Sequence, residues 1–340
     1  MKKPLVSIII AARNEEKHLE KCVESLMQQT FQDFEIIIVE GMSDDKTRKI
    51  AEKLVKKHKG KIRLLINPEK RAAEARNIGI KNAKGELIGY IDAHTTAKKD
   101  WLETLVKTIK KHKTWKGKKV GGVGSIHENP DKEEFTTAIT EAFKHPLGGG
   151  GSSYKPGKKL RAVDTAYACL YKKEALEKIK QKNNEYYDTY FIKGQDAELN
   201  WRINKAGYAL LLQPKAITYY YKRKDWESFK RQMINAGFWR AKITKKHPEL
   251  VKPTLFAPLI MYLTIITLTI ITIIKKTIIT LTIAASIIII YLLTIIITNI
   301  IIKVKNKKLV SKMIILMHWW YTTGLIKGFL LKKIKIKDRV

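Results

Sequence analysis

The sequence predicts an α/β fold with a doubly wound, mostly parallel sheet, followed by an interfacial helix and C-terminal transmembrane helices. Three observations carry this reading. Apolar β-branched runs alternate with helical patterns across residues 5–110, with short connections between them. That alternation implies right-handed crossovers and a parallel sheet. Residues 225–246 then set Trp226, Phe229, Ile234, Phe238, Trp239 and Ile243 among many Lys and Arg, and two long uncharged runs follow.

Residues 5–11 form a continuous apolar run, as a parallel strand covered on both faces requires. Residues 15–29 carry Leu19, Val23 and Leu26 at helical spacing. Residues 35–39 read as a second strand and 44–57 as a helix, with Ser43 or Asp44 placed to cap it. A third strand is expected at 62–66, a helix at 72–81 and a fourth strand at 87–91. Beyond residue 115 the pattern loosens, with strands expected at 120–125 and 162–170. Between them, residues 144–157 include four consecutive glycines and read as a mobile loop over a site or as a surface insertion.

The segment 225–246 has the composition of a helix lying at a membrane interface. Residues 255–274 and 277–302 lack any charge and are long enough to span a bilayer. Although Thr and Ile favour helices poorly in water, a bilayer requires every backbone group to be satisfied, so helices are expected. Lys275 and Lys276 leave a tight hairpin. Lys303, Lys305, Lys307 and Lys308 follow the second run, and the positive-inside rule places them and the N-terminal part in the cytoplasm. Residues 313–331 either span or lie half-buried at the interface. The expected organisation is a catalytic domain over 1–224, the interfacial helix over 225–252, a transmembrane hairpin over 253–303 and a basic segment with a third apolar helix over 304–340.

The 340 residues include 66 Lys and Arg against 32 Asp and Glu, a formal net charge of +34. Such a balance calls for an anionic partner. After Glu249 the only acidic residue is Asp338, which favours a membrane surface over nucleic acid. Cys22 and Cys169 stand alone, without metal-ligand spacing, as expected for a reducing compartment.

Five polar clusters sit at strand or helix ends. The first, Ala11-Ala12-Arg13-Asn14-Glu15, follows strand one, where backbone amides can bind phosphate or a nucleoside. It contains neither a dinucleotide-binding glycine pattern nor a P-loop. The second, Glu40-Gly41-Met42-Ser43-Asp44-Asp45, follows strand two, and its carboxylates suit a base imide or a ribose hydroxyl. Arg71 and Arg76, around the next helix start, can neutralise a diphosphate. Asp92-Ala93-His94 ends strand four and can hold a divalent cation beside a phosphate. Further on, Gly194-Gln195-Asp196-Ala197-Glu198-Leu199-Asn200-Trp201-Arg202 opens a helix, with Glu198 and Arg202 an i,i+4 pair and Asp196 either a cap or a general base. Taken singly, the first two clusters read better as a helix start and a turn cap, and the Arg71/Arg76 pair also reads as a solvated helix face.

Taken together and in this order, the clusters resemble glycosyltransferase family 2, of the GT-A fold, over roughly residues 4–245. The Asp-Ala-His variant and the trailing membrane segments look most like the succinoglycan-type glucosyltransferase branch. By matching position, the resemblance assigns Ala12, Arg13, Asn14, Glu15, Glu40 and Ser43 to the nucleoside of a nucleotide-sugar. It sets Arg71 and Arg76 by the diphosphate, Asp92 and His94 on a metal and the donor, and Asp196 as catalytic base. Gln195, Trp201, Arg202 and Arg240 are expected acceptor or phosphate contacts.

Three departures qualify the match. Glu40 stands where Asp is usual, Gln195 replaces a common Glu, and the Gln-x-x-Arg-Trp motif of processive synthases is absent. The resemblance implies an inverting transferase using a UDP-sugar first among nucleotide-sugars. Its implied acceptor is a polyprenyl-linked saccharide, with Mn²⁺ or Mg²⁺ as cofactor. Imidazole favours Mn²⁺, and a ligating His must be neutral, so activity should fall on acidification. The expected location is the plasma membrane, multi-pass, with the catalytic domain cytoplasmic, membrane lipid as partner and no nucleic acid. The alternatives are a polyprenyl-phosphate sugar synthase and an inactive membrane-tethered anion-binding protein.

Overall fold

A computed structural model describes residues 3–148, 157, 159–250 and 253–332. Most of the glycine-rich loop expected over 144–157 therefore lies outside the described residues. The chain divides into two compact units. Among the described residues, the first comprises 3–130, 157 and 159–221, and the second 131–148, 222–250 and 253–332.

The first unit is built on one sheet. Strands β1 (Val6–Ala12), β2 (Phe34–Glu40), β3 (Ile62–Ile66) and β4 (Leu87–Tyr90) are parallel and alternate with helices α1 (Leu19–Met27), α2 (Thr47–Lys57) and α3 (Ala72–Lys81). The chain continues through β5 (Thr95–Ala97), α4 (Trp101–Lys111), β6 (Thr114–Trp115) and β7 (Lys118–Glu128). The second unit contributes α5 (Glu134–Lys144), after which the first resumes with β8 (Arg161–Val163), β9 (Tyr167–Lys172), α6 (Lys173–Lys178), α7 (Gln195–Lys205) and β10 (Tyr208–Tyr220). The sheet order is β3-β2-β1-β4-β9-β7-β10-β5, with β6 on β7 and β8 on β10.

The doubly wound expectation holds in the β3-β2-β1-β4 half. Beyond β4 the sheet is mixed, because β9 enters antiparallel to both β4 and β7. β1 and β2 are almost wholly buried, which explains their unbroken apolar runs. Ile8, Ile10, Ile36 and Ile38 pack on one face of the sheet, and Ile9, Ile37 and Val39 on the other. Since β2 and β4 flank β1 on opposite sides, the chain reverses direction at β1 and opens a crevice beyond the carboxyl ends of β1 and β4. Open α/β sheets bind ligands there.

Several expected boundaries move. α1 begins at Leu19 rather than Glu15, because residues 13–18 form a turn held to the loop after β2. α2 begins at Thr47 with no cap from Ser43 or Asp44. Asp45 accepts from the Thr47 amide (2.9 Å), while the Ser43 hydroxyl accepts from the Asn14 amide (3.1 Å). The strand expected at 162–170 is two strands that pair with different neighbours.

In the second unit, α8 (Trp226–Lys246), α9 (Ala257–Lys275), α10 (Ile278–Ile301) and α11 (Lys307–Leu330) join α5. Asp225 caps α8 through the Ser228 amide (2.7 Å). The apolar face of α8, which the sequence suits to lipid, is covered by α11. Phe229, Met233, Phe238 and Ile243 are buried on one helix, and Met313, Ile314, Met317 and Leu325 on the other. The helices touch backbone to backbone. A Cβ at Gly324 would lie 2.1 Å from the Ile234 carbonyl oxygen, and one at Gly237 would lie 2.0 Å from that of Tyr321.

α9 and α10 differ from these helices. Each is long and apolar enough to cross a membrane, and each leaves its large side chains exposed within the unit. Their threonines return their hydroxyls to carbonyls one turn back, as Thr269 does to Ile265 and Thr282 to Ile278 (both 2.9 Å). Such back-bonding lets a threonine satisfy its hydroxyl within its own helix. Lys276, with φ 50°, turns the hairpin.

Candidate active site

The end of β1 and the loop after β2 are stitched together. The Asn14 side chain accepts from the Asp44 amide (2.9 Å), and the Glu15 amide donates to the Thr47 hydroxyl (2.7 Å). Ala12 ends β1 and pairs with Glu40, and Arg13 lies 3.6 Å from Asp44. The buried Glu40 carboxylate accepts from the amides of Met42 (3.1 Å) and Ser43 (2.7 Å) and so closes its own turn. These residues form one wall at the carboxyl edge. Glu40 and Ser43 act there as the scaffold of that wall.

Glu15 reaches from this wall across the switch point. It is 3 % exposed, and its Oε1 lies 2.9 Å from Nδ1 of His94. Its Oε2 is buried without a partner. A carboxylate on one ring nitrogen is the usual support of a ligating histidine, since it leaves the other nitrogen to act as ligand. His94 also sets its ring edge-on to Tyr220.

Arg76 occupies the centre. It lies on α3 and is only 4 % exposed, yet it holds two carboxylates at once: Nη1 donates to Asp196 Oδ1 (2.5 Å) and Nη2 to Asp92 Oδ1 (2.9 Å). Its guanidinium carbon sits 4.7 Å from the Tyr90 ring centre and 5.3 Å from that of Tyr187. Asp92 receives a second hydrogen bond at Oδ2 from the Tyr167 hydroxyl. Asp196 arrives on the first turn of α7, whose N-cap Gly194 has φ 78°, a left-handed conformation that glycine adopts without penalty. Asp196 is therefore not the cap.

This setting drives the two carboxyls apart. Burial favours protonation of both. At Asp92, Arg76, His94 and the Tyr167 hydroxyl outweigh burial and hold its pKa below the usual carboxylate value. At Asp196, burial and then the Asp92 charge outweigh Arg76, and the pKa is pushed up to about 6. Burial opposes the charge on Arg76, but Asp196 and Asp92 prevail and hold its pKa well above the ordinary guanidinium value. Burial also raises Tyr90, Tyr167 and Tyr187, so they stay protonated. Two carboxyls with separated pKa values suit different tasks, one as a fixed charge and one as a base working near neutrality.

The fit to a divalent cation can be read from these donors. His94, backed by Glu15, has one ring nitrogen left, and each Asp92 oxygen keeps a lone pair beyond its hydrogen bond. A borderline cation suits that pair, provided that a substrate supplies the remaining ligands.

Other expected contacts fall elsewhere. Arg71 sits at the N-cap of α3 with its side chain 42 % exposed, 2.6 Å from Glu74. Arg202 is consumed by Glu198 (2.6 Å) and by the carbonyls of Ile179 (2.7 Å) and Tyr186 (2.5 Å), which makes it a structural lock. Gln195 is buried at the start of α7, Trp201 lies under the Lys205 ammonium, and Arg240 is on α8 in the second unit.

Tyr167, Tyr187, Asn77 and His127 were not anticipated from the sequence. Asn77 is buried and accepts from the amides of Tyr186 (3.0 Å) and Tyr187 (2.7 Å), which fixes Tyr187 against Arg76. The His127 ring lies 3.8 Å from that of Tyr167. Only Tyr90 left a signal: it stands two residues before Asp92, so a strand puts both on one face.

A mixed sheet with a carboxylate at the switch point and a second at a helix start defines a GT-A-type glycosyltransferase. Residues 7–180 match Glycosyl transferase family 2, and the chain belongs to that family. The chain is 32% identical over 245 residues to a dolichyl N-acetyl-alpha-D-glucosaminyl phosphate 3-beta-D-2,3-diacetamido-2,3-dideoxy-beta-D-glucuronosyltransferase of Methanococcus voltae, covering 71% of this chain and 74% of that one. It is 29% identical to the succinoglycan biosynthesis protein ExoA of Rhizobium meliloti, over 71% of this chain and 70% of the relative. Among solved structures, the mannosyltransferase PcManGT of Pyrobaculum calidifontis, in complex with GDP-Man and Mn²⁺, shares the fold with a TM-score of 0.60 at 16% identity, over 98% of this chain and 89% of that one.

Proposed function

We propose that this glycosyltransferase is membrane-anchored and inverting, and that it moves a sugar from a nucleotide-sugar, a UDP-sugar first, to a lipid-linked saccharide. The observation that carries the reading is the pair Asp92 and Asp196, joined through buried Arg76 at the switch point, with opposite pKa shifts. Asp196 takes the acceptor proton while Arg76 holds its Oδ1. The acceptor oxygen attacks the anomeric carbon, the bond from that carbon to the phosphate oxygen breaks, and the nucleoside diphosphate leaves from the opposite face. Arg71 at the rim meets the diphosphate. His94 and Asp92 would hold a divalent cation, which when bound supplies Lewis-acid neutralisation of charge on the leaving group.

A lipid-linked saccharide is favoured over bare polyprenyl phosphate by the activity for which the Methanococcus relative is named. α9 and α10 would span the plasma membrane as a hairpin, with the catalytic domain in the cytoplasm. Wild-type membranes supplied with labelled nucleotide-sugars and a polyprenyl-linked acceptor should give a glycosylated lipid. Asp196→Asn should abolish it while retaining nucleotide binding. Undiminished turnover in Asp196→Asn would remove this residue as base.

A further inference from the structure

We infer that Arg76 is the positioning residue of the base rather than a ligand of the donor diphosphate. This rests on the transferase reading above and deepens it. Each Nη of Arg76 donates to a carboxylate, and the side chain packs between the rings of Tyr90 and Tyr187. At 4 % exposure it offers no surface to an incoming phosphate, whereas Arg71, 42 % exposed at its side chain, does. The planar guanidinium is the one side chain able to grip two carboxyls in fixed directions, and a lysine ammonium cannot reproduce that fork. Arg76 is itself held from three sides: by α3, by the Asn77 lock on the Tyr187 segment, and by the charge of Asp92. The consequence is functional. The donor-site carboxylate and the base, carried by elements far apart in sequence, share one rigid spacer that sets their separation.

The test uses the full chain in detergent. Arg76→Lys should lower kcat roughly 100-fold, the scale of a small misplacement of a reacting group. The Kd of UDP measured in EDTA, where Asp92 holds no cation, should stay within about twofold of wild type if no phosphate contact is lost. Guanidinium ion added to Arg76→Ala should restore part of kcat, and ethylammonium should not. A Kd for UDP that rises in step with the loss of kcat would overturn the assignment, as would an unchanged kcat.

If the variants fail to fold, wild-type protein still decides. Phenylglyoxal followed by peptide mass spectrometry should modify Arg71 in the absence of UDP and spare Arg76 with or without it. Modification of Arg76 that UDP prevents would mark it as a phosphate ligand and refute the proposal. The protection and affinity measurements need no turnover, so their result is separable from failure of the transferase reading.

Discussion

The raised pKa of Asp196 predicts an acid limb in the rate that an ordinary carboxylate would not show. With a pKa of about 6, Asp196 is about nine-tenths ionised at pH 7 and about one-tenth at pH 5, so the rate should fall roughly tenfold between them. An aspartate at the ordinary 3.8 would lose only about a twentieth of its ionised form over that interval. The sign follows from the role: a base acts as carboxylate, so activity is present above the pKa and lost as pH falls through it.

The groups facing Asp196 do not blur this limb. They are Arg76 from α3, Tyr90 and Asp92 at the end of β4, Cys169 and Tyr171 from β9, and Tyr187 from the segment before α7. Arg76 is held charged, Asp92 is held ionised, and burial keeps the tyrosines and Cys169 protonated. The assay is kcat/KM for the lipid-linked acceptor at saturating donor, from pH 4.5 to 8. The profile should be repeated in His94→Gln, where the limb should persist. A flat rate between pH 7 and pH 5, or a limb that disappears in His94→Gln, would refute the reasoning.

Other outcomes follow from the same geometry. Asp92→Ala should weaken Mn²⁺-dependent binding of UDP in a calorimetric titration, and wild-type activity should fall with EDTA and recover better with Mn²⁺ than with Mg²⁺. Full activity in EDTA would leave His94 a phosphate hydrogen-bond donor only. Gly324→Val should destabilise the α8–α11 crossing by about 1–3 kcal/mol, the usual range for overpacking, seen as a lower melting temperature of the solubilised protein. An unchanged melt would show that these helices can part without loss. Ile266→Lys, at the middle of α9, should disfavour insertion by roughly 2.5–3.5 kcal/mol and shift protein from the membrane pellet to the carbonate-extracted fraction. Full retention in the pellet would argue against α9 as a span.

Much of the catalytic unit was legible in the chain because its strands are buried on both faces. Runs such as Val6–Ala12 and Phe34–Glu40 have no alternation to confuse, and Ile62–Ile66 and Ala72–Lys81 fall where periodicity puts them. α9 and α10 were legible as helices through their long uncharged runs. Asp92, His94 and Asp196 stood out through the order of their motifs. β9 escaped because its direction depends on pairing with β4 and β7, which lie far away in the sequence.

The sequence by itself therefore determined the alternating α/β plan, the family and the identity of the two carboxylates. Tertiary structure alone decided how they are joined. Local sequence carries burial periodicity and turn chemistry, but a hydrogen bond between Arg76 and Asp196 spans 120 residues, and Tyr167 meets Asp92 across 75. Such contacts exist only after the β1–β4 switch point has been formed. For the same reason Arg202, which read as a ligand contact in the chain, is held in the fold by Glu198, and Glu40 also accepts from the amides of its own turn. A side chain's chemistry is set by its residue type, but its availability depends on which partners the folded chain has already brought to it.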